Sequence, residues 1–208
     1  MTIERDVFET NPPQAYNAVR AQVQDGDVML CAATDMGSRA IRWATRSIWS
    51  HVAIAFRVRD IDRVLVLECV EHIGVRAVAL SDFITRTSSG TTPYPGRILL
   101  ARHQGLQLAA DHSTMRRMSG FAFDRLGDKF SNLETAKIGL RILLGRLDVR
   151  LPARLAPNDE YVCSEYVAKC FDAVGITIAW DGLGFIAPGD IALDPQVVPV
   201  AQVRTGRG

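Results

Sequence analysis

The sequence contains no run approaching the ~18 apolar residues that a membrane-crossing helix needs. That argues against a helical membrane protein. The opening stretch MTIERDVFETNPPQAYNAV carries acids early and no apolar core, so it does not read as a secretory signal. The expected compartment is therefore the cytoplasm. Charge of one sign is not in excess: 24 Lys and Arg stand against 23 Asp and Glu, a formal net charge of +1. No global field draws nucleic acid or an acidic surface. The four cysteines, Cys31, Cys69, Cys163 and Cys170, form no C-x-x-C pair and no Cys/His cluster at zinc spacing. On a helix Cys163 and Cys170 stand ~10.5 Å apart along the axis, beyond disulfide reach. Four free thiols suit a reducing compartment. No metal or organic cofactor is expected, and there is no internal repeat or low-complexity stretch.

What is present is an ordinary globular composition, 48% hydrophobic and 23% charged over 208 residues. One domain covering 1–208 is expected, with a polar lead-in at 1–24 and a helical insertion and connector at 105–157. A short helix is expected from Gln14 to Val23. Asp25-Gly26-Asp27 is a turn signal that launches the strand VMLCAA. Ser38 is a candidate cap for a helix over RAIRWATRSIW. SHVAIAFRV and RVLVLECVE then read as a hairpin across the polar stretch Arg57 to Asp62. GVRAVAL and RILLAR read as further strands, with TSSGTTPYPG as a loop. Gly105–Phe123 and Leu133–Leu144 show helical spacing, and Asp148–Pro157 reads as a connector. The tail around PGDIAL offers only short apolar pieces. Strands first and helices later indicate an α+β fold.

The segment YVCSEYVAKC raises the chemical question. On a helix, Cys163, Tyr166, Val167, Cys170, Phe171 and Val174 share one face, and Glu165, Lys169 and Asp172 the other. Gly175 fits the C′ position. Cys163 therefore points inward, either as a core thiol or as a thiolate favoured by unsatisfied N–H groups in the first turn. A cap at Asn158 or Asp159 would move it into the second turn. A nucleophilic thiol needs a base, and the base an orienting group. His72, His103 and His112 read as solvated. His51 opens an apolar strand whose face continues through the small residues Ala53 and Ala55. A turn centred between Arg59 and Asp60 sets His51 opposite Glu68, a carboxylate in an otherwise apolar strand that needs a partner there. A slip of one residue would present Cys69 instead. Glu71, past the strand end, is the second carboxylate candidate.

Four stretches in this order, DGDVML, ATRSIWSHVAIAF, VLVLECVEHIGVRAVALSDF and YVCSEYVAKCFDAVGI, resemble the circularly permuted papain-like amidases of the YaeF/YiiX type, within the NlpC-like superfamily. GFAFDRL resembles a G-x-x-Y-D element of that family, with Phe123 in the tyrosine place. The resemblance implies a small antiparallel sheet with the cysteine helix packed on it. It implies Cys163 as nucleophile in the first turn, His51 as base and Glu68 as the orienting residue. The implied activity is thiol hydrolysis of a peptide or lipid-like amide. An acyltransferase with the same triad, and a binding module without turnover, are the alternatives. The implied partner is a small peptide, amide or lipid-like substrate, with no nucleic acid; the oligomeric state stays open. Lys137, Arg141, Arg146, Arg150 and Arg154 face only Asp148 within 137–154. That segment is either a solvated helix face with linker or a basic lip making peripheral contact with acidic or lipid head groups. Trp43 and Trp49 either line a pocket near His51 or pack in the core.

Overall fold

Asp25, Gly26 and Asp27 turn the chain into the first strand of the sheet. In the structure, a computed structural model that describes residues 3, 6–86, 94–109, 111–130, 160–180 and 186–205, this strand is β1 (Asp27–Ala33). Two short helices precede it, α1 (Val7–Thr10) and α2 (Tyr16–Gln22). After it come α3 (Met36–Thr45), β2 (His51–Val58), β3 (Arg63–Val70), β4 (Gly74–Ala79), α4 (Leu80–Thr85) and β5 (Gly96–His103). The later elements are α5 (Gln104–Ala109), α6 (His112–Asp124), β6 (Lys129–Phe130), β7 (Glu160–Tyr161), α7 (Cys163–Asp172), α8 (Pro188–Leu193) and β8 (Val197–Val203). The expected helix at 133–144, the connector at 148–157, the basic segment 137–154, the caps Asn158 and Asp159 and most of the TSSGTTPYPG loop lie outside the described residues.

The main sheet has six strands in the order β4-β3-β2-β1-β5-β8, antiparallel at every step. The α+β expectation holds. Both faces are covered, so the strands read as apolar runs rather than as alternating ones. On one face Leu30, Val52, Ile54 and Leu67 pack with Tyr166, Val167, Cys170 and Phe171 of α7 and with Met118 and Ala122 of α6. On the other, Met29, Ala53, Ala55 and Val66 pack with Val19 and Val23, and with Leu80, Phe83 and Ile84 of α4. The small residues Ala53 and Ala55 thus admit the α2 and α4 side. Val7 and Phe8 of the N-terminal stretch are buried in the first cluster.

Several expectations need correction. The β2–β3 turn is a 3-10 turn at Arg59–Ile61 closed by Asp62 at φ 47°. The carboxylate of Asp62 is gripped by Arg57 at 2.7 Å and Arg20 at 3.1 Å. The turn centre falls one residue later than expected, so Ile54 faces Leu67 and Val58 faces Arg63. Extended further, that register sets Glu68 across from Ala53, not His51. A one-residue move of the centre shifts each pairing by two, so every side chain keeps its face. α3 is capped by Asp35, whose Oδ1 accepts the Ser38 N–H at 3.0 Å, rather than by Ser38. It starts earlier than expected and stops at Arg46, which takes the left-handed φ of 52°. The Gly105–Phe123 helix is two helices, because the Asp111 carboxylate accepts the Thr114 N–H at 2.6 Å and starts α6 afresh. His103 is buried rather than solvated: its Nδ1 accepts the Leu106 N–H at 3.1 Å, and its ring lies 5.3 Å from that of Phe171. Glu165 is buried too, with the Lys169 ammonium 3.5 Å away. β8 was hidden by Pro199, which an edge strand tolerates.

Candidate active site

α7 begins at Cys163, directly after Val162 in extended conformation, so the cysteine is the first helical residue. At the other end, Gly175 at φ 80° closes the helix. Ile176 N–H donates to the Phe171 carbonyl at 3.1 Å and Gly175 N–H to that of Asp172 at 2.9 Å. These two bonds are the Schellman pattern, and only the left-handed residue makes them possible. The Tyr166 hydroxyl donates to the Ala122 carbonyl of α6 at 2.9 Å, and Ser164 Oγ donates to the Ile186 carbonyl at 2.5 Å. The helix that carries the thiol is therefore pinned on two sides.

The strands supply the rest. The β2–β3 ladder stops at the Ile54–Leu67 pair, although β2 begins at His51 and β3 runs on to Val70. The strands part there, and the first turn of α7 meets β2 at that opening. The Cys163 thiol is hydrogen-bonded to the His51 ring and takes backbone N–H groups from Val52 and Ser164. His51 Nε2 lies 2.7 Å from Glu68 Oε2, which leaves Nδ1 for the sulfur. His51 and Glu68 are not a ladder pair, but they share a face and meet across the opening. His51 keeps 23% of its side-chain surface accessible, whereas Glu68 keeps 5%. The dyad is thus reachable from solvent while its carboxylate is shielded.

Sequence reasoning missed Arg76. It sits on β4 directly opposite Glu68, and its Nε and Nη2 donate to Glu68 Oε1 at 2.9 and 2.6 Å. One carboxylate oxygen is therefore taken by the arginine and the other by the histidine. A signal for this existed: Glu68 and Arg76 are equidistant from the tight turn that Gly74, at φ 90°, closes against the Asp128 backbone. Glu71 lies exposed beside His72 and does not reach His51. Trp49 is buried against Phe8 at 5.4 Å. Trp43 is 65% exposed on α3.

The electrostatics follow from this geometry. Burial alone would raise the Cys163 thiol, but the His51 charge, its hydrogen bond and the two backbone N–H groups outweigh it and hold the thiol below its usual value. Burial would likewise lower the His51 imidazolium, yet the thiolate and Glu68 push it up to about 10. Glu68 would be raised by burial, and its bonds to His51 and Arg76 lower it instead. The resting state these shifts favour is a thiolate–imidazolium pair. The other three thiols are buried and shifted upward, chiefly by desolvation.

Residues 22–134 match the family described as permuted papain-like amidase enzyme, YaeF/YiiX, C92 family. The chain belongs to this family. The matched stretch holds His51 and Glu68 and stops before Cys163. A solved structure titled crystal structure of metalloprotein yiiX from Escherichia coli O157:H7 superposes with a TM-score of 0.60 at 19% identity. It covers 86% of this chain and 97% of its own. At that identity the likeness shows the fold, a permuted papain-like one. No curated protein is matched by sequence. Among the described residues no group of three or more His, Cys, Asp or Glu side chains is arranged to hold a metal ion, and His51, Glu68 and Cys163 are engaged with each other. No helix among them is long and apolar enough to cross a membrane.

Proposed function

We propose that this permuted papain-like amidase hydrolyses an amide of a peptide or lipid-like substrate through a Cys163 acyl-enzyme. The observation that carries the reading is the contact of the Cys163 thiol with a His51 ring that Glu68 holds at 2.7 Å. In the first step the Cys163 thiolate attacks the amide carbonyl carbon. Charge develops on the carbonyl oxygen, for which the Cys163 backbone N–H is the candidate donor. The His51 imidazolium gives its proton to the leaving nitrogen, the C–N bond breaks, and a thioester remains. Neutral His51 then takes a proton from water, the hydroxide adds to the thioester, and the acid leaves as the thiol is restored. Glu68 accepts the Nε2–H throughout. It fixes the tautomer and stabilises the imidazolium without itself taking a proton.

The test is the pH dependence of iodoacetamide labelling, followed by peptide mass spectrometry at each of the four cysteines. Cys163 is expected to label selectively below pH ~7, with that selectivity lost in His51→Ala. A screen of amides and esters on the same protein then separates hydrolysis from transfer to an alcohol or amine. If Cys163 labels no faster than Cys31 and Cys170 and His51→Ala changes nothing, the chain is a binding module and the reading fails.

A further inference from the structure

Helix α3 is built the wrong way round for a surface helix. Such helices turn apolar residues to the core and charges to water. Here none of the described side chains of α3 is buried. At 100° per residue Trp43, Met36 and Ala40 form one stripe, and Ile41 lies about 100° beyond Ala40. Met36 is 87%, Trp43 65% and Ile41 42% exposed. Arg39 and, continuing the same turn, the closing Arg46 border that stripe beside Trp43, and the opposite arc carries Ser38 and Arg42. Arg42 reaches back to the body of the protein, its Nη1 donating to the Ala33 carbonyl at 3.1 Å. The sequence has no Asp or Glu between Asp35 and Asp60. The segment thus presents an apolar outer stripe with arginines along one flank.

From this arrangement we infer that α3 is an interfacial helix that docks the protein on an anionic lipid surface. The apolar stripe enters the boundary between head groups and acyl chains, Trp43 sits at head-group level, and Arg39 and Arg46 meet lipid phosphates. The charge selects this occupant. A second copy would bring Arg39 and Arg46 against the same pair, which like-charge repulsion opposes. The helix is also tied to the catalytic end of the sheet. Only Ser47 to Ser50 separate Arg46 from His51, and that link is fixed by Trp49 N–H to Ser47 Oγ at 3.1 Å and Ser50 N–H to the Cys31 carbonyl at 2.8 Å. A docked α3 therefore holds the mouth beside His51 close to the lipid. The docking itself does not depend on Cys163 being a nucleophile.

The experiment is co-sedimentation of the full chain, as Cys163→Ala so that no lipid is consumed, with vesicles of phosphatidylcholine alone or mixed with phosphatidylserine. Tryptophan emission is read in parallel. Binding is expected on the mixed vesicles only, weakening as salt rises, with a blue shift of the emission. Trp43→Ser should abolish the shift and weaken binding more than about tenfold. Arg39→Gln and Arg46→Gln should each cost about fivefold. Trp43→Phe should bind nearly as wild type, and matched circular dichroism melts show that each variant folds. Three results overturn the inference. One is no binding to the mixed vesicles. Another is binding that Trp43→Ser leaves intact, which moves the contact to another surface such as 137–154. The third is a dimer that Trp43→Ser dissociates. Activity on a soluble amide, read with wild-type Cys163, reports on the triad separately.

Discussion

Cys163 and Cys170 stand about two turns apart on one helix, yet the fold makes them opposites. Cys163 heads α7 at the opening between β2 and β3, beside an imidazolium and two backbone N–H groups, and its thiol is held low. Cys170 lies fully buried among apolar side chains; burial pushes it up to about 12, even with Tyr166 hydrogen-bonded to it. Desolvation acts to raise both thiols, although Cys163 keeps more of its surface accessible. What differs is whether a charge of opposite sign and oriented N–H groups reach the sulfur. Thiol reactivity is thus set by position on the helix and not by depth alone.

The largest test of that contrast removes the sulfur. Cys163→Ala is expected to abolish amide turnover and selective alkylation, with the thermal midpoint within a few degrees of wild type. Cys170→Ala should leave both activities. Next comes the charge. His51→Ala takes away the largest influence holding Cys163 low, so the onset of labelling should move up toward ordinary thiol values. Turnover near neutrality should fall about 10²–10⁴-fold. In wild type the ion pair exists between the lowered Cys163 value and the His51 value of about 10. The pH–rate profile should therefore be a plateau bounded on those two sides.

Much of this contrast was legible in the sequence, and what was not has physical causes. The strand runs around His51 and Glu68 identify themselves by composition, and a carboxylate in VLVLECV declares that it needs a partner. Their common face survived a misplaced turn, because moving a hairpin centre by one residue preserves parity. The contact of Cys163 with His51 was not legible from local pattern. It depends on the β2–β3 ladder ending early and on α7 packing over the sheet, both long-range events. His103 and Glu165 misled for a related reason. A polar residue's burial is decided by the groups that meet it from other elements, here the N–H of Leu106 and the packing around α7.

Glu68→Gln tests the orienting role proposed for that carboxylate, with a smaller expected effect. The amide still reaches His51 but carries no charge, so the upper limb of the pH profile should move down from about 10, and turnover should fall about 10–100-fold. Stability gives an independent check. Folding lowers the Glu68 pKa, so its ionised form stabilises the fold above the unfolded value of about 4.3. That contribution is lost as pH falls toward the lowered folded value. Denaturant midpoints should decline with acid more gently in Glu68→Gln than in wild type.

Arg76→Lys gives the smallest effect on the active thiol, and it asks how much the arginine orients rather than merely neutralises. Lysine keeps the positive charge opposite Glu68 on β4 but cannot donate two fixed bonds to Oε1. If charge were all that mattered, the pH profile would be unchanged. If the fork holds the carboxylate plane, Oε2 should wander from His51, and kcat should drop by a few-fold to about tenfold at unchanged KM. Arg76→Gln should then shift the pH limbs as well, because Glu68 would lose a charge that lowers it. Labelling at Cys170 should stay slow in both variants, since that thiol is fully buried.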